Sequence, residues 1–205
     1  MKRKKILIAL QSFGEFNNEP IGLLHKASFD IIRNTLKHRL NREEIIQLGN
    51  NCDGIVAGVE PYDEYVLNRL PQLSCISRCG VGIDNIDLEL ARKKNIKILN
   101  TPDAVIQPVA EMVIAMILCL YRNLIPQTNA LCQSQWKKIS GNLLYGKKAG
   151  IIGLGRIGKR VCEILKALGV YVSAYDVQPD EVWARQHDVV IHKNVLNLIT
   201  TVNII

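Results

Sequence analysis

The chain runs to 205 residues, 48% of them hydrophobic and 22% charged, with a formal net charge of +7. That length and composition suffice for one large core or two small ones and are too apolar for a disordered chain. No apolar run reaches the roughly 18 residues of a membrane span, and the basic start MKRKKILIALQSFGE lacks the apolar length and cleavage site of a secretory signal, so a cytoplasmic protein away from membranes is expected.

Lys2, Arg3, Lys4 and Lys5 crowd the N-terminal tip without interleaved aromatics, the pattern of a solvated terminus, which argues against nucleic-acid binding. From there short β-rich runs alternate with helical ones. ILIAL (6–10), GIVAG (54–58), LSCISRC (73–79) and IKILN (96–100) are apolar on both faces, as strands of a covered parallel sheet should be. Between them, NREEIIQLG (41–49) has Asn41 and Glu44 in capping-box spacing, YDEYVLNRL (62–70) fills the next gap, and DLELARKKN (87–95) opens on Asp87 and ends in cations. FDIIRNTLKH (29–38) fits a strand or a helix. The repeated βα units predict an open α/β sheet.

TPDAVIQPVAEMVIAMILCLYRNL (101–124) changes the character of the chain. Its residues 109–124 are apolar nearly all round, with Pro108 where a first helical turn tolerates it, and predict a buried helix at a domain connection. Glu111 is expected to satisfy N–H groups at the start of that helix. The stretch 126–146 is more polar and ends in a glycine turn. Cys52, Cys75, Cys79, Cys119, Cys132 and Cys162 form no C-x-x-C pair and fall mostly in apolar runs, so they read as reduced core residues ahead of disulfides or metal ligands, and no metal site is expected.

AGIIGLGRIGKR (149–160) raises a sharper question, because G-x-G-x-x-G alone is a weak signal. Here the context strengthens it. Residues 147–152 read as a strand, Gly153, Gly155 and Gly158 hold the fingerprint spacing, RIGKRVCEILKALG has helical periodicity, and VYVSAYD is a second strand ending in Asp176. The first glycine permits the turn, the second lets backbone approach a pyrophosphate, and the third lets helix and strand pack closely. The helix start, with Arg156 and Ile157, offers unpaired N–H groups to phosphates. Asp176 lies where a carboxylate accepts hydrogen bonds from ribose hydroxyls, and the next residues, Val177 and Gln178, bring no cation for a 2′-phosphate, so NAD is expected over NADP. The competing reading is a structural turn followed by an unrelated Asp.

With SFGEF (12–16), SRCGVGIDNIDL (77–88), NTPDAVIQPVAE (100–111), GLGRIG (153–158) and YDVQP (175–179) in this order, the chain resembles the D-isomer-specific 2-hydroxyacid dehydrogenases, most closely their phosphoglycerate-dehydrogenase-like branch, over nearly its whole length. The resemblance implies a flavodoxin-like substrate domain over 1–103 and an incomplete Rossmann NAD-binding domain over 104–205. It also implies a small 2-hydroxy or 2-oxo acid as substrate and a homodimer for the full-length protein. In the family the segment matching Arg78 to Gly82 holds the substrate carboxylate through backbone N–H groups, here those of Val81 and Gly82, with Arg78 in support. A glycine-spaced loop after a strand can form such an anion nest, or serve only as a turn into the next helix. Val105 and Ile106 replace a polar pair that many members carry after TPxA, so no cofactor contact is transferred there.

The family's catalytic Arg, Glu and His follow the second half of the dinucleotide domain, and none has a counterpart before TTVNII, which resembles the start of the fourth strand of that domain. No catalytic residue is therefore assigned, and the 205 residues alone are expected to be inactive. His25, His38, His187 and His192 sit in no motif that pairs them with a carboxylate or nucleophile. Besides a dehydrogenase or its N-terminal part, a non-catalytic dinucleotide-binding module and a gene remnant stay open.

Overall fold

A computed structural model describes residues 3–205, so Lys2 of the basic tip lies outside the described residues. Two compact units meet in sequence between Pro102 and Asp103. In the first, β1 (Lys5–Ile8), α1 (Glu19–Lys26), β2 (Asp30–Arg33), α2 (Arg42–Gly49), β3 (Gly54–Ala57), α3 (Glu64–Asn68), β4 (Cys75–Arg78), α4 (Leu88–Lys93) and β5 (Lys97–Asn100) follow one another. The five strands are parallel in the order β2-β1-β3-β4-β5, the flavodoxin-like arrangement. The ambiguous stretch 29–38 is a strand over Asp30–Arg33, because pairing from Lys5 with Asp30 to Ile8 with Arg33 satisfies the edge of β1.

Local chemistry starts the helices. The Asn41 side chain accepts from the Glu44 N–H at 3.0 Å while the Glu44 carboxylate accepts from the Asn41 N–H at 2.8 Å, a complete capping box. Asp63 and Asp87 cap α3 and α4 through the N–H groups of Val66 and Leu90. Leu7, Ile55 and Ile76 from the central strands pack with Ile45, Val66, Leu67 and Ala91 from the helices in one core.

The second unit contains α5 (Ile106–Tyr121), α6 (Leu124–Cys132), β6 (Lys148–Ile152), α7 (Arg156–Ala167), β7 (Tyr171–Tyr175), α8 (Glu181–Gln186), β8 (Val190–Ile191) and α9 (Val195–Ile199). Its sheet runs β6-β7-β8, all parallel. On the far side of β6, Ile204 bridges Ala149 in parallel, and the Gly150 N–H donates to the Ile204 carbonyl at 2.8 Å. That is where the fourth strand of a Rossmann-type sheet lies, across the first strand from the second and third.

Several expectations need correction. The apolar run at 109–124 is broken by Asn123, whose left-handed backbone (φ 52°) ends one helix and begins another. Helix α5 buries Ala110 and Ile114 but exposes Val109, Met112, Met116 and Leu120, so it is covered on one face only. A helix apolar all round needs cover on more sides than the neighbouring elements of its own unit supply. Glu111 stands a full turn inside this helix and accepts from the Gln107 side chain at 2.6 Å rather than from the helix start. Cys79 and Cys132 are exposed, unlike buried Cys52 and Cys162. Among the described residues no single helix is long and apolar enough to cross a membrane.

Candidate functional site

The glycine cluster joins β6 to α7. Gly153 turns the chain at φ +95°, and its N–H donates to the Tyr175 carbonyl at 2.8 Å. A Cβ on Gly158 would stand 2.1 Å from the Gly153 carbonyl oxygen, so turn and helix approach as closely as only glycine permits. Gly155 caps α7 with extended backbone and has open space where a Cβ would point. The N–H groups of Arg156, Ile157 and Gly158 precede the Lys159 N–H, which donates to Gly155 at 2.9 Å. They are the orphan donors of a twelve-residue helix and suit an anion.

Asp176 follows β7 beside this turn. One carboxylate oxygen accepts from the Leu154 N–H at 2.6 Å and the other from the Gln178 N–H at 2.9 Å. The bonds from Gln178 and Leu154 hold its carboxyl below the usual carboxylate range. Each oxygen keeps a further lone pair for a hydroxyl donor. The nearby cations are engaged: Arg156 lies 3.5 Å from Asp103 and Lys159 lies 2.6 Å from Asp180. Sequence reasoning places Asp176 at the ribose but misses its grip on Leu154, because a bond between residues 22 apart depends on how the two strand ends lie side by side.

In the first unit, β4 leads into the loop from Cys79. Here Gly80, not Gly82, carries the demanding backbone, at φ +143°. Its N–H donates to Thr101 Oγ1 at 2.8 Å, its carbonyl accepts from the Thr101 N–H at 2.9 Å, and Asn100 Nδ2 donates to the Val81 carbonyl at 2.8 Å. The loop is thus tied to the end of β5. The N–H groups of Val81 and Gly82 donate to no protein atom among the described residues, which leaves two adjacent donors for an anion. Arg78 lies flat on this loop: a Cβ on Gly80 would fall 1.2 Å from its guanidinium, Nη1 donates to the Cys79 carbonyl at 3.2 Å, and buried Nε has no partner. Beside it, Asn85 Nδ2 donates to the Glu60 carbonyl at 2.7 Å and fastens the β3 loop to the β4 loop. Tyr62 is buried beneath, where burial first and the charge of Glu60 second push its phenol well above the ordinary tyrosine range.

The imidazoles lie elsewhere. His38 stands 3.4 Å from Glu44, so it does meet a carboxylate, contrary to expectation, but at the N-terminus of α2. His187 stacks on Trp183 at 4.0 Å between ring centroids.

Comparison with known proteins adds a second line. A family model described as the D-isomer specific 2-hydroxyacid dehydrogenase catalytic domain matches residues 10–201. Curated relatives include D-3-phosphoglycerate dehydrogenase of Sus scrofa, 38% identical over 143 residues, and that of Methanocaldococcus jannaschii, 38% identical over 141 residues. These matches take in 68% and 67% of this chain and only 27% of each relative. Among solved structures, a D-isomer specific 2-hydroxyacid dehydrogenase from Polaromonas superposes with a TM-score of 0.84 at 21% identity, covering 98% of this chain and 63% of the other. D-lactate dehydrogenase from Aquifex aeolicus, complexed with NAD and lactic acid, gives 0.79 at 25% identity, covering 98% and 59%.

Proposed function

Because the chain belongs to the D-isomer specific 2-hydroxyacid dehydrogenase family, we propose that it is the dinucleotide-binding and acid-capturing part of an NAD-dependent oxidoreductase of the phosphoglycerate-dehydrogenase-like type. The observation that carries this reading is the glycine turn, where Gly158 presses on Gly153 while Gly155 stays open and Asp176 stays charged beside it. That cradle fits a dinucleotide. The first-turn N–H groups of Arg156, Ile157 and Gly158 would hold the pyrophosphate and Asp176 the adenosine ribose hydroxyls, the charge of Asp176 disfavouring a 2′-phosphate. Val81 and Gly82 would hold the carboxylate of a 2-hydroxy or 2-oxo acid, with Arg78 fixing their loop. Nicotinamide, when bound, supplies the hydride chemistry, and these residues supply binding and orientation.

The 205 residues bind without turning over in this reading. Neither His38, facing Glu44, nor His187, stacked on Trp183, belongs to the 80–82 loop or the glycine turn, whereas proton transfer at the substrate hydroxyl needs a group within hydrogen-bond reach. The family resemblance also supports a homodimer for the complete protein. The test is fluorescence titration of residues 1–205 with NADH and NADPH, beside NADH oxidation with phosphohydroxypyruvate, hydroxypyruvate and glyoxylate, each repeated on a version extended to the length of the relatives. NADH binding without turnover by the short chain, and turnover by the long one, is the expected result. Tighter NADPH binding defeats the cofactor assignment, and turnover by the short chain defeats the inactivity.

A further inference from the structure

The loop that carries Val81 and Gly82 is held at both ends. At its start, Gly80 and Val81 are tied to Thr101 and Asn100. At its end it interlocks with the loop after β3: the Tyr62 N–H donates to the Asn85 carbonyl at 2.8 Å, the Asp87 N–H donates to the Tyr62 carbonyl at 3.0 Å, and Tyr62 bridges Ile86 in parallel. Asn85 Nδ2 reaches back to the Glu60 carbonyl at 2.7 Å and to that of Gly58 at 3.4 Å. The placement of the proposed nest therefore depends on the shape of residues 58–62.

Two side chains set that shape from within. Glu60 borders a cavity of about 690 Å³ at the ends of β1 and β3 but is only 3% exposed, the one charged residue buried among those described. Its carboxylate turns onto its own loop and accepts from the Gly58 N–H at 2.7 Å. The Tyr62 hydroxyl, buried and with no other partner among the described residues, faces the same carboxylate and supplies its second donor. Packing alone does not call for such a pair, because apolar side chains of similar volume fill a core at least as favourably as a buried charge with its donors. Apolar contact, however, has no direction and leaves a loop free to settle in several arrangements. A carboxylate shared by a backbone N–H and a phenol fixes one of them. Two amide donors that must point at the same carboxylate need that precision, since a displacement of about 0.5 Å already weakens both bonds. We propose that Glu60 and Tyr62, acting through Asn85, are positioning residues of the acid site: they touch no substrate, and their hydrogen bond sets the direction of the Val81 and Gly82 N–H groups. The proposal rests on the reading that Val81 and Gly82 hold the carboxylate.

The test compares Tyr62→Phe, Glu60→Ala, Glu60→Gln and Asn85→Ala with the wild type, all as residues 1–205, by amide NMR titration of ¹⁵N-labelled protein with glycolate and D-glycerate, by NADH fluorescence titration and by urea unfolding. Tyr62→Phe keeps the ring and loses only the hydroxyl. It is nevertheless expected to shift the ligand-free Val81 and Gly82 amides and to weaken both acids about ten-fold, a difference of about 1.4 kcal/mol, while NADH binding is unchanged. Glu60→Ala and Asn85→Ala should do the same. Glu60→Gln should recover most of the affinity, because its amide oxygen still accepts from both the Gly58 N–H and the phenol. A purely structural pair would lower the urea midpoint and leave the two amides and the acid affinity of the folded protein as in the wild type, which overturns the positioning role with the nest intact. Glu60→Gln binding as weakly as Glu60→Ala overturns it too, since the hydrogen bonds would then not be the cause. Silence of the wild-type Val81 and Gly82 amides toward both acids overturns the nest and the positioning role with it. Should a Glu60 variant fail to fold, Tyr62→Phe and the half-buried Asn85→Ala decide.

Discussion

Asp176 anchors the glycine turn through Leu154, and in the proposed reading its carboxylate also receives a ribose, so its loss should do more than relax cofactor choice. Asp176→Ala is expected to weaken NADH binding about ten-fold, the scale of one charge-assisted hydrogen bond, and to bring NADH and NADPH affinities close together in a fluorescence titration. Unchanged NADH affinity would remove Asp176 from the site. Gly80 offers a second test at the same scale. Its φ of +143° strains any residue with a side chain, and a methyl group there would also have to displace the Arg78 guanidinium. Gly80→Ala should lower stability by about 1–3 kcal/mol and abolish acid-induced shifts at Val81, while NADH still binds. Gly82→Ala should be milder, because its Cβ would meet only the Asp84 carboxylate at 3.2 Å.

Among the elements, α2 and α5 show how differently two helices depend on their surroundings. Helix α2 is defined locally by its capping box, and Asn41→Ala should cost about 1 kcal/mol in urea unfolding. Helix α5 has no side-chain cap and a strongly apolar sequence, so its stability comes from one packed face. On that face, Ile114→Ala should cost about 2–4 kcal/mol. Met116, half exposed on the other face, should change stability by less than about 0.5 kcal/mol when replaced by Gln. Comparable costs at both positions would show that the Met112–Met116–Leu120 stripe is covered in solution, as a homodimer or a longer chain would cover it.

For the molecule as a whole, acid exposes how the second unit is held. Asp176, through the N–H groups of Gln178 and Leu154, and Asp180, through Lys159 and the Trp183 N–H, both have depressed pKa values in the folded chain. The sign follows: their stabilisation is fully present above the unfolded aspartate value of about 3.9 and is lost as pH falls through the lower folded values. Melting temperatures measured downward from about pH 5 should therefore fall more steeply for the wild type than for Asp176→Asn with Asp180→Asn. Parallel curves would show that these bonds do not contribute to folding.

The sequence by itself determined the parts whose causes are local. The strand cores, the capping box at Asn41, the helix start at Asp87 and the three-glycine spacing are short-range chemistry that needs no partner to be read. The caps of α3, α8 and α9 are equally local, Asp63, Asp180 and Asn194 accepting from Val66, Trp183 and Asn197 three residues on, but the sequence reading misses them. Only the tertiary structure decided whether residues 29–38 form a strand, because that choice belongs to the edge of β1. It also decided which glycine carries the strain beside Arg78, where the Asp176 carboxylate donors come from, and that Glu60 is buried at the mouth of a cavity. Each of these depends on two chain segments meeting across the sheet, and no periodicity within one segment encodes that meeting.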